Sequence, residues 1–256
     1  MSWSIINLKN TITEMFGKDQ INLVEPSLES IFENQDFSRF HYSELQRLIT
    51  SHVDGKNSSE DYFKLVMTND NDVKNDEYEF KIACKANIMA FVRSLHSNAD
   101  LLAHTIYYSL GLNLSKETEL NPRQINIFNI KTKLEKMQGT CSLINELNNL
   151  TDHKDFKYLN SLVNHSKHRA NISSNLTYQL KNTGKSIYQF FFQKFEYDKI
   201  NYEEQSTDSF LNREYDRQSE AVIVIGNTIN ECVEHANKNL KSEQKQRAMF
   251  RSSTKF

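Results

Sequence analysis

Six glycines and two prolines are all that interrupt 256 residues. So few turn-forming residues exclude the many tight turns of a β-sandwich and the glycine-dependent loops of a doubly wound sheet. No window approaches the roughly 18–20 apolar residues of a spanning helix, and residues 1–20 lack the apolar run of a signal peptide. A cytoplasmic chain that stays out of the membrane is therefore expected. The formal charge of −2 supplies no global attraction for nucleic acid and leaves any such binding to a local patch. Cys84, Cys141 and Cys232 are odd in number, far apart and each set in a helical pattern. That placement fits buried, reduced thiols better than a disulfide framework or a metal site.

What remains is helix. Apolar residues recur at helical spacing through Ile5–Phe16 and Tyr42–Val53, and then the polar run Thr68–Asp76 reads as a linker. The strongest period runs from Glu77 to Leu112, where Ile88, Phe91, Val92, Leu95, Ala99, Leu102, Ile106 and Leu110 make one buried face. A second long helix follows Pro122, with Gly139 as a kink or close-contact point, and a third starts near Phe156. A last one runs from Asp208 to Leu240, capped within Ser206–Ser209. Between them, residues 186–202 are aromatic, β-branched and partly alternating, which predicts a short β-hairpin. The expected fold is an all-α, up-and-down bundle of long helices with that hairpin. Its expected organisation is an N-terminal helical extension and polar linker over 1–76, a bundle core over 77–240 and a basic tail over 241–256. Beyond Asn237 the chain carries Lys238, Lys241, Lys245, Arg247, Arg251 and Lys255 against Glu243. It reads either as a phosphate contact or, more simply, as a solvated and frayed terminus.

Two polar features stand out from this helical background. Arg93, Ser97, Asp100, His104 and Tyr107 recur at spacings of three and four opposite the buried face of the 77–112 helix. The stripe reads either as a solvated helix face in which Arg93 and Asp100 happen to lie two turns apart or as a functional one, since a merely solvated face in this chain is expected to carry Lys and Glu. The second feature is Lys157–Arg169, which ends in Asn-His-Ser-Lys-His-Arg. Asn164 and His168 lie four apart, as do His165 and Arg169, so each pair shares its own helix face. A metal site would need His165, His168, His104 and His96 to converge without a carboxylate or thiolate motif, and neither a metal nor a cofactor is expected. An acid–base site needs a histidine, an orienting amide and a cation for developing phosphorane charge, and His168, Asn164 and Lys167 or Arg169 supply those types. Attack of a ribose 2′-hydroxyl on its own phosphate is the reaction such a set serves, with Lys157, Lys167 and Arg169 as backbone contacts. The same residues also suit a satisfied polar cluster between helices.

The helical layout, with a polar helix facing one that ends in Asn-x3-His, resembles the HEPN superfamily over roughly residues 77–240. Many of its members are metal-independent ribonucleases of toxin–antitoxin and antiphage systems, and two protomers meet to build one RNA-cutting cleft. The resemblance implies His168 as the family histidine and Asn164 as its preceding polar residue. The family arginine has no counterpart, because Ser161, Leu162 and Val163 occupy its positions. Arg169, or Arg93 on the facing helix, is the replacement it suggests, with Asp100 and His104 lining the cleft. The implied protein binds or cuts RNA, is a homodimer and has an antitoxin or other protein partner. The alternative is a non-catalytic helical interaction protein that binds a partner or ligand.

Overall fold

A computed structural model describes residues 2–54, 61, 64, 67–178 and 188–253, with side chains described up to residue 246 except those of Tyr178 and Tyr188. The chain is mostly helical: α1 (Ile5–Phe16), α2 (Lys18–Val53), α3 (Asn71–Ser109), α4 (Ile127–Leu134), α5 (Cys141–Thr151), α6 (Lys154–His168) and α7 (Thr207–Ser253). Five short strands lie between α6 and α7: β1 (Ser174–Tyr178), β2 (Tyr188–Phe192), β3 (Phe195–Tyr197), β4 (Ile200–Tyr202) and β5 (Gln205–Ser206). By internal contacts the chain forms two compact units. One comprises residues 1–32, 98–153 and 218–256, and the other 33–97 and 154–217.

In the first unit, α1 stops at Gly17, whose φ of 88° and ψ of 178° are a combination that favours glycine. Its N–H bonds to the carbonyl of Thr13 at 3.0 Å. Leu8 and Ile12 of α1, Val24 and Leu28 of α2, and Leu102 and Ile106 of α3 are buried in this unit's core. The single long helix expected after Pro122 is instead two. Gly139 adopts φ 80°, and the Thr140 hydroxyl donates to the carbonyls of Leu134 and Met137, closing off α4 before α5 begins. A side chain at Gly139 would also meet Nδ1 of His235 at 2.9 Å. Asn126 caps α4, its side-chain oxygen accepting from the N–H groups of Phe128 and Asn129. Cys141 is exposed on α5, unlike the buried Cys84 and Cys232, because it sits on the turn of helix facing away from Leu143 and Leu147.

The second unit is built around aromatic rings. Tyr158 of α6 touches Phe192, Phe195, Tyr202 and Phe210 at centroid distances of 4.9–6.2 Å. Phe80, Ile88, Phe91 and Leu95 of α3 belong to the same core. Each such ring taken from water contributes roughly 2–3 kcal/mol. Strand β2 pairs antiparallel with both β1 and β5, with Ser174 opposite Phe192 and Phe191 opposite Ser206. Strands β3 and β4 form a separate hairpin through Asp198 and Lys199, whose φ values of 50° and 65° are those of a two-residue hairpin turn. The hairpin expected over 186–202 is therefore present at 195–202, and β2 belongs to the neighbouring sheet; residues 186 and 187 lie outside the described residues. The apolar face foreseen on α3 is buried from Ile88 to Ile106. No described helix is long and apolar enough to cross a membrane.

Candidate functional site

Helix α6 begins with Asp155 in its first turn and ends with His165, Lys167 and His168 in its last. This order complements the helix dipole at both ends, and it alone accounts for some of the cations. One flank is apolar: Phe156, Leu159, Leu162 and Val163 are buried. The polar flank holds Asn160 and Asn164, four apart, and meets His96 of α3.

Asn160 is the centre of that contact. Its Oδ1 accepts from Nδ2 of Asn164 at 3.0 Å and lies 2.9 Å from Nε2 of His96. Because the partner is a carbonyl oxygen, His96 carries its proton on Nε2. Ser161, one residue on, is 2.6 Å from the hydroxyl of Tyr202. The amide of Asn164 is thus committed toward the α3–α6 network, and its hydrogen bond runs to Asn160.

The helix ends in a small knot. The N–H groups of Arg169 and Ala170 both reach the carbonyl of His165, and Nδ1 of His165 is 2.7 Å from the carbonyl of Ala170, which places the ring proton on Nδ1. The His165 ring meets Phe195 and Tyr197 edge-on. Arg169 lies over the Tyr197 ring at 5.4 Å and reaches the carbonyl of Glu196. His168, by contrast, is exposed and makes no hydrogen bond or ion pair among the described residues. Lys167 and Arg169 on either side of it are exposed too, as is Lys157. The end of α6 therefore presents three consecutive solvent-facing side chains with cationic chemistry.

The polar stripe of α3 divides. Arg93 is exposed in the second unit and lines a cleft of about 490 Å³ with Ala90, Ile172 and Ser173, just beyond the end of α6. Asp100 and His104 belong to the first unit. There Asp100 is exposed, and burial lowers the pKa of His104 although the carboxylate of Asp100 works the other way. Tyr107 is no part of an exposed stripe. It is buried, and its hydroxyl accepts from the N–H of Leu120 at 3.0 Å. The chain returning after α3 covers it, which helical projection of α3 could not reveal. None of His96, His104, His165 and His168 falls within a group of three ligating side chains among the described residues.

Sequence reasoning passed over a second cleft, of about 640 Å³, lined by Arg47, Ser51, His52, Asp76, Glu77 and Phe80 among others. Nε2 of His52 is 2.9 Å from Oε2 of Glu77, and its ring stacks on Phe80 at 3.7 Å with planes 3° apart. Burial pushes the Glu77 carboxyl upward, but His52 and Lys81 outweigh it and hold the group below its ordinary range. The signal was split, with His52 at the end of one helical pattern and Glu77 at the edge of the polar run.

No family model, curated protein or solved structure matches this chain. Function must be argued from the geometry itself.

Proposed function

We propose that this chain is a HEPN-like RNA-binding protein of the cytoplasm, and that the end of α6 is its contact with the RNA backbone. The observation that carries the reading is the run Lys167-His168-Arg169, all exposed, with Arg169 held over Tyr197. Two fixed cations flank an imidazole, and an aromatic ring stands beside them for stacking. In the catalytic form of the proposal, His168 moves the proton of the attacking 2′-hydroxyl, and Arg169 or Arg93 stabilises charge on phosphorus. Every copy lacks an arginine in the turn before His168, so in this proposal a homodimer builds one cleft from two copies and Arg169 or Arg93 takes the place of the family arginine. A role in a toxin–antitoxin or phage-defence system, with a protein partner restraining the site, accords with that chemistry.

A specific observation favours a second reading. Asn164 is tied to Asn160 and His96, so this part of the motif serves a network between helices, as in a non-catalytic interaction protein. The two are separated by incubating wild-type and His168→Ala protein with total RNA and transfer RNA in EDTA and resolving the fragments on a gel. Cleavage by the wild type alone supports the ribonuclease. Absence of cleavage by a folded, dimeric wild type leaves binding without catalysis.

A further inference from the structure

We propose that the groove between α3 and the start of β1 receives an acidic, extended peptide that adds as a strand to the open edge of β1. The inference goes beyond RNA binding, and of its residues only Arg93 is shared with that reading. Helix α3 contributes Ile82, Ala86, Met89 and Ala90, at spacings of three and four that align on one face. The opposite wall is Asn171–Ser174, the segment leading into β1. Ile82 is 49 % exposed despite facing this groove, and Tyr78, one turn earlier, is 66 % exposed. A groove of about 490 Å³ holds several side chains of a peptide and little more.

Two features say what fits. Strand β1 has a neighbour on one side only among the described residues, since the sheet order is β1-β2-β5. Ser173 directs its carbonyl to the N–H of Gln193, so by antiparallel alternation Ser174, Leu176 and Tyr178 turn their backbone groups to the outer edge. An edge without a neighbour among the described residues is a template for strand addition. The second feature is charge. Lys85 and Arg93 stand two helical turns apart on the groove, neither forms an ion pair among the described residues, and no carboxylate is among the described lining residues. The complement is a segment alternating apolar residues, which enter the groove, with Asp or Glu, which meet the cations. A nucleic-acid strand fits less well, because no aromatic ring lines the groove to stack its bases.

The test is fluorescence anisotropy of the full chain with three labelled probes: a short peptide alternating Val and Glu, its Val/Lys counterpart, and the Val/Glu peptide N-methylated at every second residue. The expected result is binding of the Val/Glu peptide alone, weakened about tenfold or more by Arg93→Glu or Ile82→Glu. Both substituted side chains are exposed, and circular dichroism verifies that the variants fold. Equal binding of the Val/Lys peptide overturns the charge argument, and retained binding of the N-methylated peptide overturns strand addition. Failure of every peptide, or their displacement by oligouridylate from wild type but not Arg93→Glu, overturns the proposal as a whole.

Discussion

His96 and Asn164 are joined through one atom. The Oδ1 of Asn160 lies 2.9 Å from Nε2 of His96 and 3.0 Å from Nδ2 of Asn164, so one carbonyl on α6 fixes both an imidazole of α3 and an amide one turn along its own helix. Replacing Asn160 by Ala removes the acceptor shared by the two half-buried donors. We expect a loss of about 1–3 kcal/mol in urea unfolding. An unchanged midpoint would mean that solvent already satisfies these groups.

The sole tryptophan packs where only glycine fits. A β-carbon at Gly226 would come 2.1 Å from Cδ2 of Trp3, while the Trp3 indole N–H donates to Asn230 at 3.1 Å. Gly226→Ala must displace the indole, break that bond and cost about 1–3 kcal/mol despite the better helix propensity of alanine. Because Trp3 is the only tryptophan, its emission reports the event directly, and a red shift in the folded variant is the expected signature.

Within α7, the Glu214 carboxylate is fully buried and bonds Arg217 through both oxygens at 2.6 and 2.7 Å. Arg217→Met withdraws the countercharge while the carboxylate stays in the interior. Thermal unfolding of this variant is expected to lose on the order of 3 kcal/mol, and Glu214→Gln in the same background to restore part of it. If the second substitution worsens the first, buried charge is not the cause.

Acid is expected to weaken the protein through two groups, His104 and Glu77. Burial lowers the pKa of His104, with Asp100 partly opposing it. The unfolded chain therefore binds that proton more readily, and the stability present above the ordinary histidine value near 6.5 is lost as pH falls through the folded value. Glu77 is also depressed: burial raises its pKa, but His52 and Lys81 lower it further. Its contribution is present above the ordinary 4.5 and disappears as pH falls through its folded value. Melting temperature followed between about pH 7 and pH 5 is expected to decline, and His104→Gln to flatten the decline. A slope untouched by that substitution would assign the step to another group.

Much of this architecture was legible because helices advertise themselves by period. The amphipathic run 5–16 is α1 to the residue, and the face from Ile88 to Ile106 is buried as its spacing requires. The stretch before Tyr42 was harder to read, since α2 runs unbroken from Lys18 past an internal Pro26, against the usual breaking effect of proline. Asn71–Asp76 read as linker because Asn and Asp favour turns, yet these residues form the first turns of α3, where the Asp70 carboxylate accepts the N–H of Asp72. The basic tail extends α7, and Lys241 is bound to Glu14 at 2.5 Å; Arg247, Arg251 and Lys255 lie outside the described side chains. In the candidate site, sequence spacing located the exposed end of α6. It could not reveal that Asn164 turns to Asn160, because a choice between two nearby partners is made by tertiary packing.

The most direct test of RNA recognition is binding of a labelled single-stranded RNA, in EDTA and across a salt series, to wild type and to a Lys167→Glu/Arg169→Glu variant. The account predicts wild-type affinity that falls with salt, and a variant with weaker binding and a shallower salt dependence by about two phosphate contacts. Equal affinity and equal salt slope for both proteins would contradict it and remove the end of α6 from any role in binding RNA.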